Sequence, residues 1–157
     1  MLITKSAFAL LSPFQLSYSA RMTNWEILHN ALECFADPTR RAHYFDLYSD
    51  DIVLHGYAGV DPGIESVKRY YQAFWSAFPD ARVTVEDKVE QGDKMALRFL
   101  ITGTHQGPIL NVAPAGTPVS FAGMTILQFN SGKCVERWSI TDSISLLVQL
   151  GVDPTPH

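Results

Sequence analysis

A chain of 157 residues that is 46% hydrophobic and only 18% charged has room for one domain with a sizeable core and is too apolar to be disordered. Its formal net charge of -4, with Lys and Arg never beyond the doublets Arg40-Arg41 and Lys68-Arg69, argues against nucleic acid as a partner, because phosphate binding needs a clustered positive field. No apolar run approaches the ~20 residues needed to span a bilayer, so no membrane partner is expected and the location is read as cytoplasmic.

The opening stretch MLITKSAFALLSPFQLSYSARM loosely has the build of a secretory signal, but Pro13 and Gln15 interrupt its apolar segment. It reads instead as an N-terminal extension over residues 1–22, ahead of a domain at 23–151 and a tail at 152–157. Trp25, Leu28, Leu32 and Phe35 share a helical face behind a Thr23 or Asn24 cap, which predicts a first helix over 23–36 that Pro38 ends. A second helix is expected over 40–48, then a short strand near 51–56.

Residues 64–78 carry the clearest helix signal, a wide stripe of Ile64, Val67, Tyr71, Phe74, Trp75 and Phe78 that Pro79 stops. The stripe reads mainly as core, with Tyr71 and Trp75 placed to reach the wall of a cavity and touch a substrate. ARVTVEDKVEQ, KMALRFLITGTH and PVSFAGMTILQF then alternate as strands, with Gly92-Asp93 and Ser131-Gly132 as hairpin turns. A last strand over 133–141 runs into a helix over 143–150, and Gly151 suits its left-handed end. Helices at the front and antiparallel strands at the back predict an α+β fold, a curved sheet wrapped around N-terminal helices.

Cys34 and Cys134, a hundred residues apart without any CxxC, read as reduced thiols rather than as a disulfide. GxGxxG, GxxxxGK, GxSxG and HExxH are all absent from the sequence, so nothing points to a cofactor. What remains is a set of polar side chains at strand ends: His55, His105, Gln128 and Asp142. Glu136, Trp138, Ile140 and Asp142 fall on one strand face, where apolar neighbours would desolvate the carboxylate and raise its pKa toward acid/base work. An Asp immediately before a helix is also a preferred N-cap, and both roles stay open. His55 and His105 could orient a carbonyl or shuttle a proton, or be structural. Together with Asp142 they would make a two-His, one-carboxylate metal set, but the scattered positions give it no local support and no metal is expected. Glu136 and Arg137 read as ordinary strand charges.

The stretch FPDARVTVEDKVEQGDKMALRFLITGTHQG and the later PAGTPVSFAGMTILQFNSGKCVERWSITDSISLLVQLG resemble the SnoaL-like polyketide cyclases of the nuclear-transport-factor-2-like superfamily. The shared pattern is FPD, a GD turn, GTHxG, PxG, a GK turn, ExW, a further Asp and QLG, across roughly residues 23–151. The resemblance implies a cone-shaped α+β barrel with a hydrophobic pocket, often in a homodimer packed through the sheet. It also implies a cofactor-free ring closure of a small hydrophobic polyketide ester, with Asp142 moving protons, His55 and His105 matching histidines of the wider group, and Trp138 matching the ExW tryptophan. Gln128 stands near where the cyclases place a strand histidine, and Gln donates hydrogen bonds without titrating. The Arg-x-Asp pair of epoxide hydrolases on this fold is replaced by Arg98, Phe99 and Leu100, and a ketosteroid-isomerase reading finds a base but no second partner. A lyase or isomerase with Asp142, His105 and His55 as catalytic residues and Trp138, Gln128, Trp75 and Tyr71 as substrate contacts is the leading expectation. The alternatives are a non-catalytic binder of hydrophobic ligands and an isomerase- or epoxide-hydrolase-like enzyme.

Overall fold

A computed structural model describes residues 22–153, so residues 1–21 of the expected N-terminal extension and the end of the tail lie outside the described residues. Thr23 opens α1 (Asn24–Ala36) with a reciprocal cap: its hydroxyl accepts the Glu26 amide at 3.2 Å, and the Glu26 carboxylate accepts the Thr23 amide at 2.7 Å. Leu28, Ala31, Cys34 and Phe35 form the buried stripe of α1, leaving Trp25 and Leu32 only partly covered. The helix expected over 40–48 is a 3-10 helix, Arg41–Leu47, and the strand expected near 51 starts at Tyr48. Its buried residues, Tyr44 and Leu47, are three apart, the spacing that a three-residue turn eclipses on one side.

β1 (Tyr48–His55) is followed by α2 (Ile64–Ala77), whose Val67, Tyr71 and Trp75 repeat every four residues on the buried face. β2 (Arg82–Gln91), β3 (Lys94–Thr104), β4 (Pro118–Asn130) and β5 (Lys133–Thr141) form an antiparallel meander, and α3 (Ser143–Gln149) closes the described chain. β1 joins beside β5 in parallel, giving the order β1-β5-β4-β3-β2. The fold is α+β as expected, and its curved sheet stays open, because β1 and β2 are edges rather than neighbours.

Alternation along β4 divides the sheet into two faces. Val119, Phe121, Thr125, Leu127 and Phe129 are buried, most of them in one core with Leu28, Phe35, Tyr71 and Trp75 of the helices. Met124 and Ile126 point the other way and are exposed, as is Ile140 of β5. Cys34 and Cys134 are buried free thiols.

The FPD and GTHxG motifs lock the end of α2 to the end of β3. Both oxygens of Asp80 are engaged by Thr104, and the amides of Gln106 and Gly107 donate to the Ala77 carbonyl at 2.8 and 3.2 Å. Gly107 is required by this docking, since a Cβ there would stand 2.1 Å from the Ser76 carbonyl oxygen.

Candidate functional site

Asp142 directly follows β5 and caps α3: its Oδ1 accepts the Ser145 amide at 2.9 Å, while its own amide donates to the Ala122 carbonyl at 2.9 Å. Oδ2 takes no hydrogen bond from a described residue. The side chain is exposed at the end of an open groove of about 740 Å³, whose walls include Ala96, Ala122, Met124, Ile126, Trp138 and Ile140. No residue from α1, α2 or α3 lines this groove, so it lies on the sheet face that turns away from the core.

That placement corrects the expectation that apolar neighbours desolvate Asp142, and the reason is the direction of β5. Trp138 and Ile140 are the more apolar set, the one that strand alternation ordinarily turns inward. In the structure Ile140 is 80% exposed and Ser139 is buried, with Arg137 turned inward beside it. A bulge between Cys134 and Glu136 sets this phase, since Cys134 is also buried. Asp142, continuing the outward set, is therefore not desolvated by the core.

His55 and Trp138 join Asp142 in lining the groove. Their rings stack at 5.2 Å and 7°, and His55 Nε2 bonds Glu136 Oε1 at 2.8 Å, which fixes the imidazole on the indole face. His105 lies elsewhere: it is 1% exposed, rests against Phe78 at 5.7 Å, and its Nε2 has no partner. Gln128 pairs across from Glu136 and donates to Asp93 Oδ2 at 3.3 Å, outside the groove lining. Tyr71 and Trp75 belong to the core on the opposite face. Among the described residues no group of three or more His, Cys, Asp or Glu side chains is placed to hold a metal ion.

The core face holds a polar cluster that the sequence did not reveal. Arg137 Nη1 points at the hydroxyls of Tyr48 (2.8 Å), Tyr71 (3.3 Å) and Tyr44 (3.4 Å), and Nε donates to Thr125 Oγ1 at 3.0 Å. Ser139 links Thr125 (2.7 Å) to the Tyr57 hydroxyl (3.0 Å). Burial pushes the phenols of Tyr44, Tyr48, Tyr57 and Tyr71 upward, and that of Tyr70 up to about 12, so all of them stay neutral hydroxyls at ordinary pH. The signal available in advance was the alternation Arg137, Ser139, Thr141, a polar set opposite an apolar one.

Fold and groove together define a small α+β protein with an apolar recess at the end of its last strand. The family model for SnoaL-like polyketide cyclases matches residues 27–150, and the chain belongs to that family. Among solved structures it is similar to AclR from Streptomyces galilaeus, a proposed hydroxylase, at 27% identity over 85% of this chain and 84% of that one, with a TM-score of 0.73. It is similar to IdmH from Streptomyces antibioticus, a proposed polyketide cyclase, at 29% identity over 83% of this chain and all of that one, with a TM-score of 0.70. A SnoaL-like protein from Jannaschia Sp. CCS1, 24% identical over 83% of this chain and 93% of that one, shares the fold with a TM-score of 0.73. Comparison with curated proteins returns no match.

Proposed function

We propose that the protein is a cofactor-independent enzyme acting on a small apolar molecule that carries a carbonyl group, with Asp142 as general acid/base. The observation that supports this most is the uncommitted Oδ2 of Asp142 at the end of an apolar groove, since the cap occupies only Oδ1. In this reading Asp142 takes a proton from the carbon next to the carbonyl, and the electron pair moves onto the carbonyl oxygen as an enolate. The His55 ring, with its Nε2 proton on Glu136, donates a hydrogen bond to that oxygen through Nδ1 when both ring nitrogens carry protons, and Trp138 carries the apolar body of the ligand. The enolate then either attacks a second carbonyl of the same molecule, whose alkoxide takes the proton back from Asp142, or is reprotonated at another carbon. The first outcome closes a ring and the second isomerises; neither changes the atom count.

The exposed Met124, Ile126 and Ile140 favour a second copy of the chain on this face. Such a homodimer would roof the groove and withdraw Asp142 from water, which is what its proton transfer requires. Asp142→Asn keeps the cap and removes the base: turnover of an identified carbonyl substrate is expected to fall by about 10²-fold or more. Unchanged turnover refutes the assignment. A ligand that binds tightly, forms no product and ignores the substitution would instead support a non-catalytic binding protein using the same groove.

A further inference from the structure

We propose that His55 and Glu136 form a general-base dyad that hydrolyses esters of small apolar acids by activating water at the wall of the groove on the outer sheet face. The activity goes beyond the proton transfer assigned to Asp142, because it uses a different base and a second reactant, water.

The dyad is built across the seam between β1 and β5. His55 stands opposite Trp138 in the parallel register and Val53 stands opposite Glu136, so all four share one face and Glu136 lies diagonal to the imidazole. That offset brings Glu136 Oε1 to 2.8 Å from His55 Nε2. A carboxylate only accepts hydrogen bonds, so the neutral ring carries its proton on Nε2 and leaves a lone pair on Nδ1. Nδ1 takes no hydrogen bond from a described residue, and His55 lines the groove. Trp138 holds the ring plane to within 7° of its own. The backbone beside it is fixed as well, since a Cβ on Gly56 would stand 1.9 Å from the Ser139 carbonyl oxygen. A histidine held in this way is a base whose tautomer is already chosen.

The other pairing of a histidine with a carboxylate among the described residues shows what an ordinary surface contact lacks. His43 and Asp46 are 3.1 Å apart, but their side chains are 72% and 73% exposed and neither lines the groove, whereas those of His55 and Glu136 are 44% and 37% exposed.

In the reaction, Nδ1 takes a proton from water while the water oxygen bonds to the ester carbonyl carbon and the C=O electron pair moves onto its oxygen. When that pair returns, the bond to the alcohol oxygen breaks and the leaving alkoxide takes the proton from Nδ1. Acid and alcohol are the products, and the ring is neutral again. Glu136 is a positioning residue: it fixes the ring and stabilises the imidazolium that forms between the two steps. Met124, Ile126 and Trp138 give the hydrocarbon of the acid an apolar wall. The neutral ring accepts here, whereas the doubly protonated ring donates in the reaction of Asp142.

The probe is p-nitrophenyl butyrate with the intact wild-type chain. Saturable turnover is expected, with kcat/KM at least about 10²-fold above the rate constant of free imidazole at the same pH. His55→Gln is expected to lower kcat/KM by about 10²-fold or more. Glu136→Gln still accepts the Nε2 proton but carries no charge, and is expected to lower kcat by about tenfold with KM kept. His43→Gln is expected to leave both constants as they are. In ¹⁵N-histidine spectra of the wild type the neutral His55 ring is expected to be protonated at Nε2, a readout that stands even if a variant does not fold. No saturable turnover, or a His43→Gln loss equal to that of His55→Gln, would overturn the dyad. So would a neutral ring protonated at Nδ1. An equal loss in Asp142→Asn would move the base to Asp142, and a nitrophenolate burst matching the protein concentration would show an acylated ring in place of activated water; either result also overturns the assignment.

Discussion

Asp80 and Thr104 meet twice: Oδ1 accepts the Thr104 amide and Oδ2 accepts its hydroxyl, both at 2.7 Å. The hydroxyl bond, then the amide bond, hold the Asp80 carboxyl below its ordinary pKa of 3.8. A carboxyl depressed in the folded state stabilises above its unfolded pKa, and that contribution is lost as pH falls through the folded value. Asp80→Asn is therefore expected to cost at most about 1 kcal/mol at pH 7, given the exposure of the pair. The gap between variant and wild type in urea denaturation should narrow below pH 4 and close once the wild-type carboxyl is protonated. An equal gap at pH 7 and at pH 2 would contradict the account.

Gly107→Ala places a methyl group against the Ser76 carbonyl, and backbone cannot yield as a side-chain tip can. The loss should reach about 2 kcal/mol or more. It would appear as a lowered melting temperature with the spectrum of the folded state otherwise kept, and a melting temperature equal to wild type would contradict the docking.

Capping and the proposed proton transfer at Asp142 can be separated by two substitutions. Asp142→Ala should lower stability by about 1 kcal/mol through the lost bond to the Ser145 amide, whereas Asp142→Asn should lower it by a few tenths at most. Both should lose turnover. A stable but inactive Asn variant beside a destabilised and inactive Ala variant is the expected pattern, read by denaturant titration and substrate assay.

Burial pushes the Cys134 thiol up to about 11, and Cys34 is buried with it. Neither should react with an aromatic disulfide reagent at pH 8 in the native protein, and both should react after denaturation in guanidinium. Rapid native labelling of either would show that its segment opens.

Ile140 is 80% exposed, and a charge there costs the single chain little while opposing any apolar pairing of sheet faces. Ile140→Lys is expected to shift a wild-type dimer to monomer in light scattering coupled to gel filtration, with turnover reduced alongside. A wild-type protein that is monomeric at high concentration would remove the proposed roof over the groove.

The α+β class, the order of elements and the two hairpin turns could be read from the sequence because they rest on local chemistry. Ser131 and Gly132 take φ values of 50° and 79°, the pair of positive angles that a two-residue type I′ turn demands. The direction of β5 could not be read that way. Period-two alternation says which residues share a face but not which face is covered, and the usual inference that the more apolar set goes inward fails here, with Trp138 and Ile140 outside and Arg137 and Ser139 inside. The same ambiguity separated the candidate site: Asp142, His55 and Trp138 come together, while His105, Tyr71 and Trp75 are held on the core side by contacts with Phe78, Phe35 and Tyr44, partners remote in the chain. Arg137 was hidden for the opposite reason, since four tyrosines spread over residues 44–71 accommodate it and no short motif marks them.

The parallel seam between the first and last strands bears on how the protein is made. His55 and Glu136, which touch across it, are 81 positions apart, so a nascent polypeptide must have emerged from the ribosome past residue 136 before that seam can zip. A message truncated ahead of residue 133 would yield two bare strand borders and a polyphenol core without its plug, a product destined for chaperones or aggregates rather than for a smaller working version.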